Sequence, residues 1–249
     1  MEIDVALVPS EAGAWSHTVC IVIDELRASS TITTILDGGC SRLYVTAGLQ
    51  TARRLAREHG GLLAGERHGS RPPGFDFDNS PAAISRADVR GRVVVLSTSN
   101  GTRVLSGLTD APATLVGCLL NARACAWAAV DLAISMSARV GVVCAGTLGR
   151  FALDDAVAAG VLVGRAVEAI EARGGEAHLT EAAAAAARLR GSYPDLQTPL
   201  QNSVAGRLLA SLGVHDDVPY CLQLDVTETV PILRAGPTLV IEPLIAASA

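Results

Sequence analysis

The sequence predicts an α/β fold, with three layers (α/β/α) built around a largely parallel or mixed sheet. Short β-branched apolar runs alternate along the chain with amphipathic or alanine-rich segments, the order typical of strands covered by helices on both faces. The strongest runs are apolar at every position, as expected of strands buried on both sides. With 249 residues and 49% hydrophobic content, the chain can bury a large core. We expect a single domain over residues 1–249, or two closely packed halves of about 1–120 and 121–249.

In the first half, each apolar run is followed by a turn or a helix signal. Gly38-Gly39 and Gly60-Gly61 end two helical patterns, and Ser80 followed by Pro81 has the form of a helix start. Ser29, Ser30 or Thr31 is the expected cap of the first helix. The predicted strands are Glu2 to Val8, Thr18 to Ile23, Arg42 to Thr46 and Leu62 to Ala64, and Leu49 to His59 is a predicted helix.

The second half repeats this alternation. Asp154 and Asp155 open a long helix, where acidic side chains complement the macrodipole. The predicted strands are Arg92 to Ser97, Ala113 to Val116, Arg139 to Cys144, Thr229 to Leu233 and Thr238 to Ile241. The predicted helices are Asn121 to Met136, Asp154 to about Arg173, Glu176 to Arg190 and Pro194 to Leu212.

Composition argues against several classes of protein. The net charge is −5 and only 3% of residues are aromatic, whereas nucleic-acid binders show a basic stripe or stacking aromatics. No stretch approaches an uncharged membrane span, and the N-terminus is acidic where a signal peptide is basic. The six cysteines form no C-x-x-C pair, so we expect reduced thiols, no zinc site and a cytoplasmic protein.

Polar side chains follow four of the predicted strands. In a parallel sheet, ligands bind at the carboxyl ends of strands, so we expect these side chains to form one site. They are Asp24 with Glu25 and Arg27, Glu66 with Arg67, Thr98 to Arg103, and Asp155 beyond the Gly146 turn.

The residue types in these clusters fit a metal ion and a phosphate group. Carboxylates suit Mg²⁺, with water completing an octahedron. The predicted metal ligands are Asp24, Glu66, Asp76 and Asp155. Arg27 and Arg67 have the fork geometry that binds an oxyanion. The turn from Thr98 to Thr102 offers amides and hydroxyls to phosphate oxygens, although it lacks a Walker pattern.

The long segment from Gly65 to Pro81 has two interpretations. It is either a solvated polar loop or part of the site, since long ordered loops are usually functional. His68 within it is interpreted as a surface residue in preference to an acid or base.

Five motifs in this order resemble one known family, the 2-phosphosulfolactate phosphatases. They are Ile23 to Thr31 (IDELRASST), Gly65-Glu66-Arg67, Gly74-Phe75-Asp76 with Asn79-Ser80-Pro81, Ser99 to Arg103 (SNGTR), and Asp155 with Ala159-Gly160. The resemblance extends weakly to Asp217-Val218 and Val230-Pro231. It implies a magnesium-dependent phosphatase of α-hydroxy acid phosphate esters, acting in coenzyme M biosynthesis, with a three-layer α/β fold.

The sequence departs from the family pattern at four positions. Glu25, Asp78, Ser99 and Asp154 stand where the family usually has an apolar residue, glycine, threonine and glutamate. Glu25 and Asp78 add negative charge beside the predicted site, which would tighten a metal site or discourage a dianionic substrate.

Together these observations predict a phosphatase for a small acidic phosphomonoester. The expected catalytic residues are Asp24, Arg27, Glu66, Arg67 and Asn100. Substrate binding is expected of Arg27, Arg67, Asn79, Thr98, Ser99, Gly101 and Thr102. The alternatives are the same scaffold acting on another ester, or a catalytically silent ligand-binding relative. Whether water or an aspartate attacks phosphorus stays open, and we expect a homodimer that binds neither nucleic acid nor membranes.

Overall fold

A computed structural model describes residues 1–13, 15–234 and 236–245, and these form one ten-stranded mixed sheet with ten α-helices. The strands are β1 (Glu2–Ala6), β2 (Thr18–Ile23), β3 (Arg42–Thr46), β4 (Leu62–Gly65), β5 (Val93–Ser97), β6 (Ala113–Val116), β7 (Arg139–Cys144), β8 (His178–Leu179), β9 (Pro231–Arg234) and β10 (Leu239–Pro243). The helices are α1 (Ala28–Asp37), α2 (Leu49–His59), α3 (Pro81–Ile84), α4 (Gly101–Gly107), α5 (Ala122–Ser135), α6 (Leu153–Glu171), α7 (Glu181–Gly191), α8 (Gln197–Asn202), α9 (Val204–Ser211) and α10 (Asp217–Cys221). The predicted α/β class is confirmed.

The sheet consists of two parallel sets joined by an antiparallel pair. Its order is β4-β5-β3-β10-β9-β6-β2-β7-β1-β8. Strand β10 runs antiparallel to β3 and β9, and β9 runs antiparallel to β6. In a flat sheet, the carboxyl ends of the two sets would therefore lie at opposite edges. Five strand-to-strand steps separate β5 from β2, and a twist of about 20–25° per step turns the strand direction by roughly 100–125°. The angle between the carboxyl ends of the two sets is therefore much smaller than in a flat sheet.

Helices cover both faces of the sheet, and the alternation of side chains along β2 shows how. Val19, Ile21 and Ile23 belong to a core cluster with α5, α6 and α7. Cys20 and Val22 point to the other face and share a cluster with α1, α3 and α4. Helix α2 covers the outer face of β3 and β5. The core is thus divided between the faces of a three-layer structure.

Two predicted helices differ from the structure, and in each case a hydroxyl explains the difference. The segment predicted as one helix from Glu176 begins as β8, which pairs with β1. Helix α7 starts only after Thr180, whose hydroxyl accepts a hydrogen bond from the backbone N–H of Ala183. The predicted helix from Pro194 to Leu212 is interrupted at Ser203, which has extended backbone angles and caps α9. A side-chain cap satisfies free N–H groups and favours a new helix start.

Candidate active site

A cavity of about 290 Å³ lies where the carboxyl ends of β2, β4, β5 and β7 converge. Most of the predicted site residues line it. These are Asp24, Arg27, Glu66, Asn79, Thr98, Ser99, Asn100 and Asp155. The expectation that separate strand ends supply one site therefore agrees with the geometry.

Asp24 follows β2 and joins the starts of two helices. Its Oδ1 accepts a hydrogen bond from Ala28 N at 3.2 Å, and its Oδ2 accepts one from Gly101 N at 2.9 Å. A side chain at position 101 would place its Cβ only 3.0 Å from Asp24 Oδ2, so glycine allows this close approach. Burial raises the pKa of Asp24 to about 6, although both backbone bonds oppose the shift. Asp24, and not the predicted serines or threonine, satisfies the first N–H of α1.

Glu66 follows β4 and joins two loops. Its Oε1 accepts from Ser99 N at 2.9 Å and its Oε2 from Gly69 N at 3.0 Å. The preceding Gly65 has a φ of 151°, and a Cβ there would lie 2.2 Å from Ser97 O. Only glycine permits this contact, which places Glu66 beside the loop after β5.

Asp155, in the first turn of α6, likewise uses both carboxylate oxygens on backbone groups. Oδ1 accepts from Glu25 N at 2.9 Å and Oδ2 from Gly146 N at 2.7 Å. Burial, with added repulsion from Asp154 and Asp24, raises the pKa of Asp155 well above its usual value. Asp24, Glu66 and Asp155 therefore connect the loops that surround the cavity.

Two buried side-chain oxygens at the cavity have no hydrogen-bond partner within the described ranges. They are Asp154 Oδ1 and Asn79 Oδ1. Burial raises the pKa of Asp154 to about 6, and the charge of Asp24 adds to the shift. From its sequence position, Asp154 has a helix-dipole explanation and departs from the family pattern, but its place in the cavity wall was not predicted. Its position beside Asp155 is the signal that could have drawn attention to it.

Arg27 lines the cavity and is held by an aspartate from the distant helix α10. Its Nη1 lies 2.6 Å from Asp217 Oδ2 and 3.6 Å from Asp78 Oδ2, and its Nη2 donates to Gly69 O at 3.3 Å. Asp217 is fully buried and also accepts a hydrogen bond from the hydroxyl of Ser80. In the sequence, Asp217 stands out only as part of the weak extension of the resemblance, because no local pattern reveals a partner 190 residues from Arg27.

Arg67 and Asp76 are two of the four predicted site residues that do not line the cavity. The Arg67 guanidinium donates to the carbonyl oxygens of Glu66 and Ala47 and, at 3.1 Å, to the hydroxyl of Ser97. Asp76 Oδ2 accepts from Leu63 N at 2.7 Å. The reason is that the segment around Asp76 pairs with β4 and extends the sheet edge, so its carboxylate caps that edge.

The turn after β5 lines the cavity but offers fewer free donors than its sequence suggests. The N–H groups of Ser99 and Gly101 already bond to carboxylates. The Thr98 and Thr102 hydroxyls bond each other at 2.9 Å. Thr98, Ser99 and Asn100 line the cavity, whereas Gly101 and Thr102, which were also predicted to bind substrate, do not.

The two extra acidic residues have different surroundings. Asp78 lies beside Arg27, so its negative charge is close to the site, as expected. Glu25 is fully buried and does not line the cavity; its Oε2 accepts from Leu119 N at 3.1 Å. Burial raises the pKa of Glu25 to about 8, so its carboxyl is largely protonated at neutral pH.

The electrostatics of the cavity favour a bound cation. Its described lining contains four carboxylates against the single guanidinium of Arg27, which is itself paired with Asp217. Among residues 1–13, 15–234 and 236–245, no three acidic, histidine or cysteine side chains are grouped closely enough to hold a metal alone. Mg²⁺ commonly binds through one or two carboxylates, with water and substrate phosphate completing its shell. The donor set therefore fits Mg²⁺ bound together with a phosphate ester.

Comparison with known proteins identifies the family. The family model described as 2-phosphosulpholactate phosphatase matches residues 6–236. The chain belongs to the 2-phosphosulfolactate phosphatase family. It is 37% identical to a probable 2-phosphosulfolactate phosphatase of Thermus thermophilus, over 94% of this chain and 95% of that one. It is 41% identical to the 2-phosphosulfolactate phosphatase of Methanothermobacter thermautotrophicus, over 88% of each chain.

Membership of the 2-phosphosulfolactate phosphatase family makes this chain a phosphoric monoester hydrolase. The resemblance inferred from the five motifs is confirmed. Within the part of the chain that the structure covers, no helix is both long and apolar enough to cross a bilayer.

Proposed function

We propose that this chain is a magnesium-dependent phosphatase that acts on 2-phosphosulfolactate or a closely similar small acidic phosphomonoester. The observation that carries the proposal is the carboxylate-lined cavity at the strand ends with Arg27 in its wall. Its volume of about 290 Å³ suits a small substrate.

The chain's own residues supply positioning and part of the electrostatics. Arg27 is buried and held by Asp217, so its guanidinium meets a phosphate without first being ordered. Asn79 and Asn100 line the cavity and offer amide groups to the ester. Asp24 and Glu66 hold the loops that carry these groups. Phosphoryl transfer depends mainly on such positioning and charge stabilisation.

A magnesium ion would balance the excess of negative charge in the cavity. A phosphate ester entering a cavity lined by Asp24, Glu66, Asp154 and Asp155 meets strong repulsion unless a cation lies among them. Bound Mg²⁺ would neutralise carboxylate and phosphate oxygens and polarise the phosphoryl group. We propose that Asp24, Glu66 and Asp155 lie around the bound Mg²⁺. Asp76 remains a predicted ligand only by sequence, since its carboxylate caps the sheet edge.

One observation favours a different substrate within the same reaction class. Asp78 lies 3.6 Å from the guanidinium of Arg27 and competes with anionic groups for it. An ester with fewer negative charges than 2-phosphosulfolactate would meet less repulsion there.

A panel of phosphate esters assayed with and without Mg²⁺ tests the proposal. We expect hydrolysis of 2-phosphosulfolactate or an α-hydroxy acid phosphate, its loss in EDTA and its recovery with Mg²⁺ or Mn²⁺. Full activity of the metal-free protein would contradict the magnesium assignment, and no hydrolysis of any ester would support the silent ligand-binding alternative.

We further propose that the protein works in the cytoplasm as a homodimer. All six cysteines are free, as is usual in a reducing compartment. The homodimer is proposed because exposed apolar side chains border the cavity, among them Leu148 at 80% and Val204 at 55% exposure. Light scattering on the eluting protein gives the oligomeric state directly.

A further inference from the structure

Asp154 and Asp155 are neighbours in the first turn of α6, yet their carboxylates have opposite surroundings. Each oxygen of Asp155 accepts a backbone N–H, one from Glu25 and one from Gly146. Asp154 is only 3% exposed and lines the cavity. The Ser203 hydroxyl and the Leu26 backbone N–H lie near its carboxylate, but its Oδ1 has no hydrogen-bond partner among the described residues. Asp155 therefore holds two loops together, whereas Asp154 keeps an oxygen for a group from outside the chain.

The chemistry of the substrate limits what that group can be. Ionised phosphate, sulfonate and carboxylate groups of an acidic ester present only acceptor oxygens, so the substrate leaves Asp154 Oδ1 to a water molecule or a cation. A buried acceptor without a donor costs about 1–3 kcal/mol, and more when it is charged. A hard divalent cation satisfies such an oxygen and also attracts the acceptor-rich substrate.

We propose that Asp154, in preference to Asp155, provides the carboxylate oxygen that binds the divalent cation directly. This inference rests on the proposed function and specifies its metal site. Asp155 does not contact the cation itself. It is a positioning residue that fixes the loops after β2 and β7 around the cation.

Metal binding measured in the absence and in the presence of inorganic phosphate tests this assignment. The full chain is treated with EDTA, desalted and titrated with Mn²⁺ while free Mn²⁺ is followed by electron paramagnetic resonance. The variants are Asp154→Asn and Asp155→Asn, with Asp110→Asn as a control that removes one exposed charge elsewhere. Asp154→Ser is measured alongside, so that poor folding of one substitution does not decide the result.

We expect Asp154→Asn to weaken Mn²⁺ binding at least about tenfold, the scale seen even for residues that support metal ligands, while the metal-free Tm stays near that of the wild type. Asp155→Asn should lower the Tm, because an amide oxygen can replace only one of the two acceptors. Asp110→Asn should change neither quantity.

Two results would overturn the assignment. If both Asp154 variants bind Mn²⁺ as tightly as the wild type, or more tightly than Asp155→Asn does, this inference alone is wrong. If the wild type binds no Mn²⁺ and hydrolyses its ester in EDTA, the magnesium part of the proposed function is wrong as well.

Discussion

At the residue scale, the site is organised by what each carboxylate oxygen accepts. Asp24, Glu66 and Asp155 each take two backbone N–H groups from different segments. Because hydrogen bonds to charged groups are stronger than neutral ones, these side chains stabilise the loops as well as charging the cavity. Substitution of any of them will therefore affect folding and activity together.

Substitutions of the two arginines distinguish an effect on activity from an effect on folding. Arg27 lines the cavity, whereas the Arg67 guanidinium donates hydrogen bonds to Glu66, Ala47 and Ser97. Arg27→Lys should lower kcat/KM by roughly tenfold or more, about 1.4 kcal/mol of transition-state binding, since lysine loses the fork geometry. Arg67→Lys should lower the Tm with a smaller change in kcat/KM. Steady-state kinetics on the best ester and thermal melts distinguish them, and unchanged kcat/KM in Arg27→Lys would rule out its contact with phosphate.

At the element scale, close approach of α6 to α7 depends on one glycine. A Cβ at Gly160 would lie 2.3 Å from Ala186 O and 2.7 Å from Arg190 Cβ. Gly164, one turn further along α6, has nothing within 4 Å of its Cβ position. Helix α6 also carries Asp154 and Asp155, so this packing supports the site from behind.

Alanine at these two glycines should therefore have opposite effects. Gly160→Ala should destabilise the protein by about 1–3 kcal/mol, because α7 must shift. Gly164→Ala should stabilise it by up to about 1 kcal/mol through helix propensity. Urea unfolding of both variants measures the difference, and equal stability would show that α7 moves without cost.

At the scale of the whole molecule, buried carboxyl groups make stability depend on pH. Burial raises the pKa of Glu25 from its usual 4.5 to about 8, and those of Asp24 and Asp154 from 3.8 to about 6. The folded chain then holds protons that the unfolded chain has released, so stability falls as the pH rises through this range. A bound cation would oppose the loss, because it stabilises the ionised carboxylates.

Glu25→Gln should remove the upper part of this dependence. In EDTA, the wild-type Tm should fall as the pH rises from about 4.5 to about 8, with Glu25 contributing on the order of a few kcal/mol. Glutamine can still accept from Leu119 N, so the variant should be the more stable protein above pH 8. Calorimetric melts across this range measure the effect, and parallel curves for the two proteins would contradict it.

Local sequence determined most of the elements and most of the polar side chains in the cavity wall. The β-branched runs of β2 and β7 have the bounds that their pattern predicts, because burial on both faces leaves a continuous apolar signal. Asp24 and Glu66 were found in the same way, since a charged side chain directly after an apolar strand stands out in one dimension.

Tertiary structure alone decided which of these residues share the site. The pairing of the segment around Asp76 with β4 removes that carboxylate from the cavity, and Asp217 reaches Arg27 from 190 residues away. The insertion of β9 and β10 between the two parallel sets also depends on long-range pairing. Such contacts are set by twist and packing across the whole sheet, which no short stretch of sequence encodes. For the same reason, the free oxygen of Asp154 and the satisfied oxygens of Asp155 differ only in three dimensions.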